Sequence, residues 1–195
     1  MQSVSEVLRI VHVLTAALMV WPFYALVAVN QRIQLGPPVG DRVDTYMENI
    51  IKNRTVPCFV FQVTALLTGL ALTETEGPGL VNLFEMPILA AKLLLLLAAG
   101  CLLGYVHLTL QPRIDSFFKD NPGQPLQSDL VPKVNALRLR RKRMASVCLF
   151  LVLTMIMLGV ELWADSPGWF LAAATGVLLV FTWRSFRSVT PWGWW

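Results

Sequence analysis

The chain has 195 residues, of which 55% are hydrophobic and only 14% charged, with a formal net charge of +4 and a mean hydropathy of +0.59. A soluble domain carries about a quarter charged residues, so this composition excludes an ordinary soluble enzyme and a disordered tail alike. A membrane crossing takes roughly 20 apolar residues, which bounds the chain to a single bundle over 1–195.

Hydropathy predicts an all-α, polytopic membrane bundle with crossings at 8–29, 56–73, 86–110, 144–164 and 167–183. The first is too long, and its leading segment too poor in positive charge, for a cleaved signal peptide. It carries His12 and Trp21. In the connection 30–55, Val43, Met47, Ile50 and Ile51 fall on one helical face with Asp44, Glu48 and Lys52 elsewhere, which predicts an interfacial amphipathic helix. The second and fifth crossings are the shortest, and both have start signals. Thr55 precedes Val56-Pro57 and Ser166 precedes Pro167, a capping residue before a first-turn proline.

The second crossing carries Gln62, Thr64 and Thr68, groups able to hydrogen-bond between membrane helices. An acidic loop with Glu74, Glu76 and Glu85 leads into the third crossing, which holds Lys92, a Gly100/Gly104 pair at GxxxG spacing and His107. Ala172 and Gly176 repeat the small-residue spacing in the fifth, and such pairs let helix backbones approach closely. The connection 111–143 begins loosely around 120–127, becomes helical from Ser128 and ends in Arg138, Arg140, Arg141, Lys142 and Arg143. A juxtamembrane basic run of this kind points to anionic lipid headgroups and topology, not to nucleic acid.

Fourteen of the sixteen Lys and Arg residues fall in the connections 30–55 and 111–143 or after the last crossing. Retained positive charge marks the cytoplasmic side, so the N-terminus is expected outside and the C-terminus inside a bacterial inner membrane. Cys58, Cys101 and Cys148 stand singly in apolar segments and read as small packing residues. The tryptophans gather near crossing ends as an interfacial belt. Trp192, Trp194 and Trp195 make the tail aromatic enough to suggest contact with a partner membrane protein.

Ionisable groups in hydrocarbon cost several kcal/mol unless they find partners, which directs attention to His12, Lys92, His107 and Glu161. Lys92 and His107 are fifteen residues apart, more than about 20 Å along a helix. His12 lies at the depth of Lys92, so the two histidines are not expected to flank one haem. His12, Lys92 and Glu161 share a depth near the outer leaflet. There an imidazole can ligate haem iron or copper, an ammonium can hold a propionate or quinone oxygen, and a carboxylate can compensate it. The bland alternative is structural, with Lys92 snorkelling or pairing with Glu161 and His12 bonding to backbone.

His12 followed by Trp21-Pro22-Phe23-Tyr24, with Lys92 opening a leucine-rich third helix and His107 near its end, resembles a group of small bacterial integral membrane proteins. The group includes CopD-like copper-resistance proteins and haem-dependent protoporphyrinogen oxidases of the HemJ type. The resemblance covers about residues 8–113. It implies a haem-associated role for His12 and a functional role for Lys92. The chain has no nucleotide loop, nucleophile constellation or metal motif. The leading expectation is therefore an accessory subunit or small redox-associated protein that docks with other membrane subunits and lacks full catalytic machinery. A haem b- or copper-binding redox protein comes next, and a transporter third.

Overall fold

A computed structural model of the chain describes residues 2–35, 38–52, 55–119, 124–164 and 166–187. Among these there is no strand, and five helices are long and apolar enough to cross a membrane, the build of a multi-pass membrane protein. The crossings are carried by α1 (Gln2–Asn30), α3 (Thr55–Thr75), α4 (Pro87–Tyr105), α6 (Val131–Ala164) and α7 (Gly168–Arg187). Two short helices lie between them, α2 (Arg42–Lys52) and α5 (Gln111–Ser116).

The boundaries of the third crossing have local reasons. Pro87 opens α4, where its missing N–H is one of the orphan donors of a first turn. Below α4, one π-helical turn over Val106–Leu110 passes into α5, whose first turn contains Pro112. A proline removes the hydrogen bond to the carbonyl four residues earlier and clashes with it. For Pro112 that carbonyl belongs to Leu108, inside the widened turn.

α6 is the central helix and packs against α1, α4 and α7, while α1 also packs along α3. Met19 and Phe23 of α1, Cys58 of α3, Leu103 of α4 and Leu149, Val152 and Met155 of α6 form the buried core. Successive helices run in opposite directions. Arg9 meets Glu76 at one end, and Arg141 meets Asn30 at the other. At the first end the guanidinium of Arg9, with Ser5, holds the Glu76 carboxyl below its ordinary range.

The other end is basic, and there α2 turns its carboxylates inward. Its buried residues are Asp44, Glu48 and Ile51, whereas Val43 and Tyr46 are 60% and 67% exposed. The carboxylates face inward because the turn after α1 and helix α6 present guanidiniums to them. Arg138 spans both oxygens of Asp44 at 3.1 and 2.7 Å and reaches Glu48 at 3.1 Å. Arg141 and Arg32 each pair with Glu48, and Arg32 also donates to the Asp44 carbonyl at 2.7 Å. Arg141 further reaches Gln111 at 2.7 Å and Asn30 at 2.9 Å. Five elements thus converge on two carboxylates: α1, the 3-10 turn Gln31–Leu35 that follows it, α2, α5 and α6.

Removing one partner from a buried pair strands charge, at a cost of about 3–5 kcal/mol. Glu48→Gln leaves three guanidiniums facing a single carboxylate and is expected to lower stability on that scale. The salt bridge of Lys52 to Asp115, at 3.1 Å and with the lysine half-exposed, belongs to the class worth about 0–1 kcal/mol. Thermal unfolding of the detergent-solubilised variants by circular dichroism separates the two cases. Equal small losses for Glu48→Gln and Lys52→Ala would show that the network does not hold this end together.

Candidate functional site

His12 and Lys92 lie towards the end opposite the arginines. His12 of α1 places Nδ1 2.9 Å from Thr68 Oγ1 on α3. The Thr68 hydroxyl donates its own proton to the Thr64 carbonyl at 2.6 Å, so towards His12 it accepts, and Nδ1 is the protonated nitrogen of the neutral ring. Nε2 then keeps its lone pair, the form that ligates a metal or takes up a proton. His107 repeats the device, with Nδ1 3.0 Å from Thr55 Oγ1, whose hydroxyl donates to the Lys52 carbonyl. The edge of its ring meets Phe59. Thr55 and Thr68 are thirteen residues apart on α3, about 20 Å, so the two imidazoles lie at separate levels.

Three polar side chains within the crossings each sit where a neighbouring helix has glycine. A Cβ on Gly69 of α3 would lie 3.1 Å from His12 Cε1, one on Gly100 of α4 would lie 3.3 Å from Gln62 Oε1, and one on Gly159 of α6 would lie 3.3 Å from Lys92 Nζ. These gaps let a bulky polar group enter the helix contact. Lys92 has no hydrogen-bond or ion-pair partner among the described residues, and it lies within electrostatic reach of His12. Gln62 Nε2 is buried with no partner. An unpartnered ammonium and amide in hydrocarbon each carry the cost of lost hydration.

Of the three site residues expected from the sequence, His12 and Lys92 lie within electrostatic reach of each other, and Glu161 is engaged elsewhere. Glu161 Oε2 accepts the Ser166 hydroxyl at 2.7 Å across the junction of α6 and α7. Gly159, under Lys92, and Glu161 are two residues apart on α6 and so point to different faces. Gly104 and Gly176 have nothing within 4 Å of where a Cβ would stand, so neither marks a close helix approach within the chain. No three His, Cys, Asp or Glu side chains converge among the described residues. The described residues therefore form no three-ligand copper site around His12.

The basic run divides. Arg138, Arg141 and Lys142 are 1%, 0% and 2% exposed. The arginines engage Asp44 and Glu48, and the Lys142 ammonium lies 5.0 Å from the centroid of the Phe186 ring. Arg140 and Arg143 alone face outward. Trp192, Trp194 and Trp195 lie outside the described residues. The network partners Arg32, Asp44, Glu48, Asn30 and Gln111 were not among the residues singled out from the sequence. Their signal was the i, i+4 spacing of Asp44 and Glu48, which puts two carboxylates on one face of α2.

In a His107→Gln background, 15N NMR at a pH above the ordinary imidazole pKa of about 6.5 is expected to show His12 protonated on Nδ1 with a bare Nε2. Thr68→Val should release this preference and cost about 1 kcal/mol of stability. A wild-type spectrum dominated by the Nε2–H tautomer would overturn the assignment. No family model matches the chain, and neither a curated protein nor a solved structure matches it.

Proposed function

We propose that the protein is a small redox-associated subunit of a bacterial inner membrane, with its N-terminus outside and its C-terminus cytoplasmic, holding a haem b in the outer half of the bundle. The observation that carries this reading is the placing of a bare imidazole nitrogen within electrostatic reach of a half-buried ammonium that has no partner among the described residues. His12 Nε2 is the ligand atom that haem iron takes. Lys92 is a cation that would pair with a propionate. Gly69 and Gly159 give these side chains room, and the surrounding hydrocarbon suits the porphyrin face.

The fit extends to the shell behind the ligand. An Nδ1–H bonded to Thr68 fixes ring orientation and raises the basicity of Nε2, as such partners do at metal sites. Gln62, deeper on α3, has an amide donor to spare. A bound haem would supply one-electron transfer. The protein's part would be to ligate, orient and neutralise. The resemblance to haem-dependent oxidases assigns the same two residues, His12 and Lys92. The charge asymmetry of the connections supports the orientation, since cytoplasmic loops retain Lys and Arg.

A docking role for α7 accompanies this reading. Trp169, Val177, Val180 and Trp183 are exposed on it, and Gly176 is open. A flat outward surface of small and aromatic residues is one that another membrane helix can approach closely.

The decisive measurement is the absorption spectrum, oxidised and dithionite-reduced, of protein gently extracted from its membrane or supplied with haemin. A Soret band at one haem per chain is expected, lost in His12→Ala. Lys92→Met should keep the axial ligand but weaken haem binding about tenfold, the equivalent of about 1.4 kcal/mol. A Soret band that survives His12→Ala, or haemin that fails to bind the wild type, would sink this reading.

A further inference from the structure

We propose that α1, α3 and α4 enclose a proton path joining the basic end of the bundle to the His12–Lys92 site, with His107 as its first station and water held at Gln62 midway. The path follows one face of α3. Thr55, Gln62 and Gly69 are successively seven residues apart, close to two helical turns each, so they share a face at levels about 10 Å apart. Each level meets a polar group. The His107 imidazole stands 3.0 Å from Thr55, and the Gln62 side chain lies against Gly100 of α4. At the third level Nδ1, Cε1 and Nε2 of His12 lie 3.6, 3.1 and 4.0 Å from where a Cβ on Gly69 would stand.

The middle level points to water. Gln62 is only 6% exposed, and its Nε2 has no hydrogen-bond partner among the described residues. An amide that served only to join two helices would donate to one of them. A buried donor left open is costly, and a water molecule removes that cost where the contact is polar and has room. Small residues supply the room. The buried stripe of α3 runs through Cys58 and Ala65 on either side of Gln62. On α4, Gly100, Gly104 and His107 share the face turned to α3. Gly104, between the levels of Gln62 and His107, has nothing within 4 Å of where a Cβ would stand. Towards His12 the next polar group is Thr15, which follows His12 on the same face of α1 and is 7% exposed. A gap of about 10 Å takes about three waters at a hydrogen-bond spacing of about 2.8 Å.

His107 suits the entry to such a file. It stands one turn from Gln111, which donates to Asp115, at the end where Asp115 meets the half-exposed Lys52. Its Nε2 accepts a proton from water at this end and hands it to the first water of the file, while Nδ1–H stays on Thr55 and keeps the ring in place. Each water then passes one proton on. Lys92, having released its own proton towards the opposite end, receives the last and is an ammonium again. No step uses Nε2 of His12, so the path goes beyond the haem reading and does not need it.

Proton flux into liposomes carrying the full-length, haem-free protein tests this, and a failure of haemin to bind would leave the test intact. With a potassium diffusion potential set by valinomycin and pyranine enclosed, wild-type vesicles should acidify several-fold faster than empty ones. Gln62→Leu removes the water-holding amide at similar volume and should bring the rate down to that of empty vesicles. Thr154→Val removes a hydroxyl of α6 that bonds the Phe150 carbonyl, away from the path, and should leave the rate unchanged. His107→Gly should lose the flux, and added imidazole should restore it, a rescue that a structural loss would not show. A wild type no faster than empty vesicles, or full flux in Gln62→Leu or His107→Gly, would overturn the proposal. So would an equal loss in Thr154→Val, or a loss in His107→Gly that imidazole does not restore. If circular dichroism shows Gln62→Leu unfolded, the imidazole rescue decides alone.

Discussion

Two carboxylates on one short helix decide how one end of this bundle is built. Asp44 and Glu48 project from the same face of α2 and receive Arg32, Arg138 and Arg141. In a membrane the apolar surfaces of helices gain little by meeting each other, because lipid tails are as apolar as leucine. Directional polar contacts then carry much of the specificity. A buried ion network is a poor source of net stability compared with a well-packed apolar core, but it penalises every register in which a charge is stranded. Arg138 and Arg141, three residues apart on α6, match Asp44 and Glu48, four apart on α2, in one alignment only.

The network is also unbalanced, with three guanidiniums against two carboxylates. Two features at the same end offset the excess. The α1 helix ends at Asn30, beside Arg141, and the C-terminus of a helix carries a partial negative charge. Neutral acceptors add to this, as Asn30 Oδ1, Gln111 Oε1 and the Asp44 carbonyl all receive guanidinium N–H groups. The opposite end has the reverse character. There the ammonium of Lys92 and the amide nitrogen of Gln62 stand without partners among the described residues. Polar groups left open where the fold could have closed them are the usual sign of a site that something else completes.

The crossings were legible from the sequence because the cost of a polar backbone or side chain in hydrocarbon is nearly independent of what packs beside it. Hydropathy alone gave 56–73 for a helix that spans Thr55–Thr75, and 167–183 for one that spans Gly168–Arg187. It also drew attention to His12 and Lys92, since an ionisable residue in an apolar run is visible without knowledge of neighbours. The fate of the basic run was not legible. Whether Arg138 meets lipid or Asp44 depends on where α2 docks, ninety-four residues away in sequence, and charge alone carries no such information. Val43, Met47, Ile50 and Ile51 pointed to an interfacial amphipathic helix, but that Asp44 and Glu48 on it turn inward depends on the arginines of the turn after α1 and of α6. Gly69 and Gly159 were equally silent, and Gly100 was read only as half of a packing pair with Gly104. Their use appears only when a polar side chain from the next helix occupies the space.

The length of α6 ties these features together. Its 34 residues extend about 51 Å, against about 30 Å of hydrocarbon, so about 20 Å of helix stands beyond the apolar core. That excess is the segment from Val131 to Arg143, and it carries the arginines. Its inward side is bolted to α2, and its outward side presents Arg140 and Arg143. Within the membrane the same helix supplies Gly159 beneath Lys92 and the buried core residues Leu149 and Val152. A single rigid helix therefore carries the ion network, part of the buried core and one wall of the polar site. An axial shift of one turn, about 5.4 Å, would break all of them at once. The charged clamp at one end is what holds Gly159 level with Lys92 at the other.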